Sequence, residues 1–291
     1  MTPAGRAMAA ATLAALRARL AALPPPLVVF NKSHSGSRLL ADALGRHGVY
    51  MGAALNGSHD ALPLLGLVEP LVERHYPDYA ALWRDADAAA DLARRAEAAF
   101  AAHLATYDRA AAGPWGWKLC ETGYILPVLD VLFPAARFVH LVRDGRDVAF
   151  CDHVAPHSPF WRKVYFNTDR IDRWRGRPLD DRAYDRCRHV YNAVHWRNSV
   201  EVGRAYGAML RERCLEVRYE ALCGDFAGTM RRVLDFAGVA ADPAALAAMA
   251  GAVHCRSIGR HRAQSWYRRR QVLELIAPTL ASFGYLDAAP P

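Results

Sequence analysis

The stretch Phe138-Val139-His140-Leu141-Val142-Arg143-Asp144-Gly145-Arg146-Asp147-Val148-Ala149-Phe150-Cys151 decides how this chain is read. Its first five residues make a mostly apolar run, the pattern of a strand buried on both faces of a parallel sheet. Arg143-Asp144-Gly145 then turns, and a helix is expected to start near Arg146. An arginine at the carboxyl end of such a strand stands where open α/β sheets bind ligands. Its guanidinium suits bidentate contact with a phosphate. Arg146 and Asp147 read equally well as a solvated helix start with a local ion pair.

The same grammar recurs on either side. Leu27-Val28-Val29-Phe30 is another short buried run, followed by a polar loop over residues 31–36. A helical stretch then carries Leu39, Leu40, Ala43 and Leu44 on one face and ends near Gly48. Residues 215–219 read as a further strand, ahead of a helix with Phe226, Met230, Val233, Leu234 and Ala237 that Gly238 closes. Strands alternating with helices predict an α/β fold, a three-layer parallel sheet flanked by helices. Residues 82–107 and 184–210 are expected to be helical covers. Residues 157–178 are aromatic and basic (Phe160, Trp161, Tyr165, Phe166, Trp174) and read as a loop or lid beside a site.

Residues 1–23 are rich in alanine and leucine, but Arg17 and Arg19 interrupt them, which argues against a membrane span and against a signal peptide. An amphipathic lead-in helix, stopped by Pro24-Pro25-Pro26, fits better. The expected organisation is therefore a lead-in helix over 1–26 and a single domain over 27–287. Hydrophobic residues make up 53% of the 291 residues and charged residues 23%, a globular rather than a disordered balance. The 37 Lys+Arg against 29 Asp+Glu leave a net charge of +8, which favours anionic partners. Six cysteines without a C-x-x-C pair suggest neither a zinc site nor a disulfide framework. Reduced thiols in a cytoplasmic protein are expected.

Lys32-Ser33-His34-Ser35-Gly36-Ser37-Arg38 joins the first strand to its helix. A small-residue loop entering a helix gathers backbone N–H groups at the positive end of the helix dipole, which favours an anion. It is not the G-x-x-x-x-G-K-[ST] loop of nucleoside triphosphatases, because only one glycine is present and the lysine comes first. It is not a G-x-S-x-G elbow either, since Ser33 and Ser37 flank Ser35. A serine-rich capping turn is the other reading.

Together these segments resemble the sulfotransferases that use 3′-phosphoadenosine 5′-phosphosulfate (PAPS), especially the bacterial members. His34-Ser35-Gly36-Ser37-Arg38-Leu39-Leu40 is similar to the family's [K/R]-S-G-[T/S]-x-x-L loop, and Arg143 through Cys151 to its R-[D/N]-x-[R/K]-D-x-x-x-S signature. Trp117-Lys118-Leu119-Cys120-Glu121 resembles the strand bearing a catalytic lysine, and Val217-Arg218-Tyr219-Glu220-Ala221-Leu222 the R-Y-E-x-L segment. The resemblance implies a P-loop-like sulfotransferase architecture with PAPS as co-substrate and no metal. It places the 5′-phosphosulfate on Lys32, His34, Ser35, Gly36, Ser37 and Arg38. The 3′-phosphate falls to Arg143 and Cys151, with Arg260 from the basic stretch Arg256–Arg262, and the adenine lies near Tyr219. Two positions depart from the pattern: His34 stands where the family has Lys or Arg, and Cys151 where it has serine. Sulfuryl transfer needs in-line positioning, charge stabilisation and a base. Lys118 is expected in the electrostatic role, with Lys32 and His34. The base is left open among Asp60, Glu121 and His59, because Cys120 holds the place of the family's histidine. The acceptor would be a hydroxyl or amine of a small molecule or glycan.

Three other classes are weighed. A nucleotide-dependent kinase would need a lysine after the loop's glycine and an acidic magnesium ligand. A nucleic-acid-binding module would use the arginine and aromatic residues of 160–177, though no nucleic-acid fold signature is visible. A donor-binding protein without catalysis is the third.

Overall fold

Leu27-Val28-Val29-Phe30-Asn31 forms β1 (Leu27–Asn31), buried at every position. It lies inside a four-stranded parallel sheet of order β2-β1-β3-β4, with β2 (Gly116–Lys118), β3 (Arg137–Val142) and β4 (Cys214–Arg218). The computed structural model describes residues 3–152 and 181–286, so the expected lid at 157–178 lies outside the described residues. In chain order the helices are α1 (Pro3–Leu20), α2 (Ser37–Arg46), α3 (Leu65–His75), α4 (Ala80–Arg84), α5 (Ala86–His103) and α6 (Leu126–Leu132). They continue with α7 (Gly145–Ala149), α8 (Asp181–Leu210), α9 (Tyr219–Gly224), α10 (Phe226–Ala237), α11 (Pro243–Ala250) and α12 (Trp266–Ser282).

The continuous apolar runs are explained by a sheet covered on both faces, because alternate side chains then enter different cores. Val28 and Phe30 of β1 pack with Phe138 into one cluster, with Leu67 and Val68 of α3, Leu92 and Phe100 of α5, and Trp115. Leu27 and Val29 enter the opposite cluster, with Leu40 and Leu44 of α2, Leu222 of α9, and Met230 and Val233 of α10. This is the three-layer α/β architecture. α1 buries Ala9, Leu13, Leu16 and Leu20 in the first cluster, so the lead-in helix is part of the main core. Asp225 caps α10 by accepting from Gly228 N, and Gly238 ends it in the left-handed conformation at φ 72°. No helix among the described residues is long and apolar enough to cross a membrane.

The chain leaves β1, returns at β2 on one flank, then crosses β1 to reach β3 on the other. Strand order therefore reverses between β1 and β3. In open α/β sheets the crevice at the carboxyl ends of such a pair is where ligands bind. The loop after β1 and the turn after β3 both open there.

Candidate functional site

The loop after β1 is pinned from within. Ser35 Oγ donates to the Lys32 carbonyl at 2.6 Å, and Lys32 Nζ donates to Ser33 Oγ at 2.8 Å. His34 and Gly36 both take positive φ, at 66° and 85°. The first N–H groups of α2 have no carbonyl one turn back, so its N-terminus retains donors for an anion. Arg38 does not turn inward: its Nη1 lies 3.5 Å from the Gly57 carbonyl in an exposed contact. At Gly36 a methyl group would overlap the Tyr219 ring. Gly36→Ala is therefore expected to cost roughly 1–3 kcal/mol from left-handed strain and displacement of the ring. A lowered denaturation midpoint checks this.

The turn after β3 ties four segments together through Arg143. Its Nη1 donates to the His34 carbonyl at 3.0 Å and its Nη2 to the Ser257 carbonyl at 2.5 Å. The guanidinium lies 4.7 Å from the centre of the Tyr219 ring, and its buried Nε has no hydrogen-bond partner among the described residues. Tyr219 OH is 3.2 Å from Ser257 Oγ, while Trp196 Nε1 donates to the Arg143 carbonyl at 2.8 Å. The local ion pair forms in a different register from Arg146–Asp147. Asp144, the N-cap of α7, takes Arg146 at 2.6 Å, which frees Asp147 for a distant task. Asp147 is 1% exposed and accepts from Gly259 N at 2.7 Å and His261 N at 3.1 Å, with His261 Nδ1 at 2.6 Å. It thereby fixes the basic segment so that Arg260 Nη1 stands 3.1 Å from Cys151 Sγ. Glu220, accepting from Asp144 N and Tyr285 OH at 2.9 Å each, braces the turn from behind. The tasks of Asp147, Glu220 and Ser257 escaped the sequence reading. For Asp147 the one local signal was an acid on the inward face of a short helix.

A second cluster stands at the end of β2. Lys118 is 2% exposed, and its Nζ donates to Asp60 Oδ1 at 2.8 Å and to the Ser58 carbonyl at 2.9 Å. Asn56 shapes this loop by accepting from Ser58 N and Asp60 N and donating to Asp60 Oδ2. Cys120 Sγ lies 3.7 Å from Asp60 Oδ1. His59 is not part of this arrangement: its Nδ1 faces Asp42 Oδ1 at 3.0 Å. Burial lowers Lys32 to about 7, with the charges of Cys120, Glu121 and Cys151 pulling the other way. Burial, and then Asp60, push Glu121 up to about 7. Burial likewise raises the Cys120 thiol. It lowers His34 to about 4, helped by Lys32, Arg143 and Arg260, so His34 is neutral near pH 7. His195 of α8, buried and within the field of Lys32, joins this neighbourhood without having been singled out in the sequence.

These shifts predict a stability profile. Between pH 7 and 10.5 the unfolded chain holds a proton on Lys32 that the folded chain has released, so stability rises with pH there. Between pH 4.5 and 7 the folded chain keeps a proton on Glu121 that the unfolded chain has lost, so stability falls with rising pH. The donor-free protein should gain most from a Lys32→Met/Glu121→Gln double substitution near pH 7, less on either side. Urea midpoints across that range check it.

Fold and site define a parallel α/β protein with two strand–loop–helix junctions at its topological switch point. The sulfotransferase family model matches residues 26–243, and this chain belongs to that family. A mouse sulfotransferase solved with 3′-phosphoadenosine 5′-phosphate (PAP) is 12% identical at a TM-score of 0.50, over 94% of this chain and 93% of that one. The sulfotransferase domain of the Synechococcus PCC 7002 olefin synthase is 20% identical at a TM-score of 0.47, over 88% and 95%. A Mycobacterium avium sulfotransferase is 16% identical at a TM-score of 0.45, over 97% and 86%. At these identities the likeness concerns the fold alone. A search of curated proteins finds no match.

Proposed function

We propose that this protein transfers a sulfuryl group from PAPS to a hydroxyl, or an amine, of a small-molecule or glycan acceptor. The observation that carries this reading is the convergence on Arg143 of the loop after β1, the turn after β3, Tyr219 and the segment holding Ser257 and Arg260. In this reading the junction receives two phosphates and a purine at separate places. In this reading Lys32, His34, Ser35, Gly36 and Ser37 surround the 5′-phosphosulfate. Arg143, Arg260 and Cys151 face the 3′-phosphate, and Tyr219 bounds the adenine. The mouse neighbour holds PAP, which is what the donor proposed here becomes once its sulfuryl group has left.

The chemistry follows from the cluster at β2. The acceptor oxygen attacks sulfur in line, the bond from sulfur to the donor phosphate oxygen breaks, and PAP leaves. Lys118 and Lys32 offset the charge that grows on the leaving oxygen. Asp60, paired with Lys118 at 2.8 Å, takes the acceptor's proton. Glu121 is the second choice, since its raised pKa leaves it partly protonated near pH 7. His59, turned to Asp42, stands third. The neutral His34 adds a hydrogen bond rather than a charge. Cys151 is a weaker donor than serine, which leaves most of the 3′-phosphate contact to arginine.

Calorimetric titration with PAP tests the reading. Saturable binding without magnesium is expected. Preference for ATP with magnesium would instead support a phosphotransferase, and binding of neither would overturn the proposal.

A further inference from the structure

We propose that Cys223 and Cys255 form an oxidisable dithiol whose cross-link locks residues 255–261 over the donor site, with a small-molecule disulfide as oxidant. The consequence for the donor rests on the PAPS reading above; the thiol chemistry does not.

The two cysteines sit on unlike supports. Cys223 belongs to α9, which Leu222 anchors in the core at 0% exposure. Cys255 is exposed, in the coil between α11 and Gly259, and its Sγ donates to the Cys223 carbonyl at 3.4 Å. The Cys223 thiol interacts with both the Cys255 thiol and the Tyr219 hydroxyl. Each cysteine is close in sequence to a donor-site residue: Tyr219 precedes Cys223 by one helical turn, and Ser257 follows Cys255 by two positions. Tyr219 and Ser257 already touch, at 3.2 Å, and Ser257 carries the carbonyl that Arg143 holds. The coil is otherwise fixed by Gly259 N and His261 on Asp147 and by Ile258, which packs against the core. A covalent link at Cys255 would add to these contacts and tie the segment to a helix anchored in the core by Leu222.

The reaction balances through thiol–disulfide exchange. The exposed Cys255 thiolate attacks the small disulfide and expels one thiolate. Cys223 then gives up its proton and attacks the Cys255 sulfur of the mixed disulfide, expelling the second. Two protein thiols are oxidised, one disulfide is reduced to two thiols, and the protons end on the leaving groups. Burial pushes Cys223 up to about 11, so it is the resolving partner, and closure should accelerate with pH from about 7 to 9. The other cysteines are poor competitors: Cys120, Cys151 and Cys187 are buried, and the half-buried Cys214 thiol is pushed up to about 11 by burial.

Treatment of the full chain with oxidised glutathione tests this. Peptide mapping is expected to find Cys223 joined to Cys255, reversible with dithiothreitol. Backbone amides of 256–261 should exchange about fivefold or more slowly than in the reduced protein. PAP should also dissociate more slowly. Cys223→Ser should stop at one glutathione on Cys255, without the slowing. Accumulation of the mixed disulfide in the unaltered protein, or a linked protein with unchanged amide exchange, would overturn the proposal. A link that forms and slows exchange in a protein that binds no PAP in either state would sustain the lock and defeat the donor reading.

Discussion

Lys118→Ala should lower kcat about 10²–10³-fold while changing KM for the donor far less. Lys118 ends β2 almost fully buried, with its ammonium on Asp60 and the Ser58 carbonyl. In the proposed reaction, charge held in place beforehand would act on the leaving oxygen without reorganising at the transition state. Removing it also leaves Asp60 without its cation. Because Asp60 is partly exposed, the stability cost should stay near 1–3 kcal/mol. Lys118→Arg should recover little, since a planar fork does not fit a site built for a compact ammonium. Single-turnover rates at saturating donor separate this from a binding defect. A kcat within about threefold of the unaltered enzyme would remove Lys118 from the chemistry.

Arg143→Ala should weaken PAP binding by at least about 1–3 kcal/mol, roughly fivefold to more than a hundredfold. Two effects add. The site loses a buried cation beside the Tyr219 ring, and it loses the bridge between the His34 and Ser257 carbonyls. Arg143→Lys should not restore affinity, because one ammonium cannot span two carbonyls and a ring face as the guanidinium does. Calorimetry on the three proteins decides this, and equal affinities would refute the assignment.

Much of the fold was legible because its signals are local. The run Leu27 to Phe30 and the stretch Phe138 to Cys151 each place an apolar strand, a turn and a helix start in contiguous residues. The helix end at Gly238 was equally plain, because one residue type sets the backbone conformation there, whereas α1 ends at Leu20, ahead of Pro24-Pro25-Pro26. Of the two readings of Arg146 and Asp147, the local ion pair holds for Arg146 with another partner, and Asp147 lies outside it. Asp144 was the nearer partner once it capped α7, and Asp147 faced inward to meet a segment 114 residues away.

By itself the sequence determined the α/β class, the order of the two strand–loop–helix junctions and the residue types available at each. It could do so because side-chain periodicity, turn chemistry and helix dipoles depend on near neighbours along the chain. Only the tertiary structure decided which charges meet. Lys118 finds Asp60 58 residues away, Arg143 reaches Ser257 across 114, and Lys32 and Glu121 are shifted together because the fold buries them in one place. Charge pairing and desolvation depend on distance through space, and only the packed sheet and its covering helices set that distance.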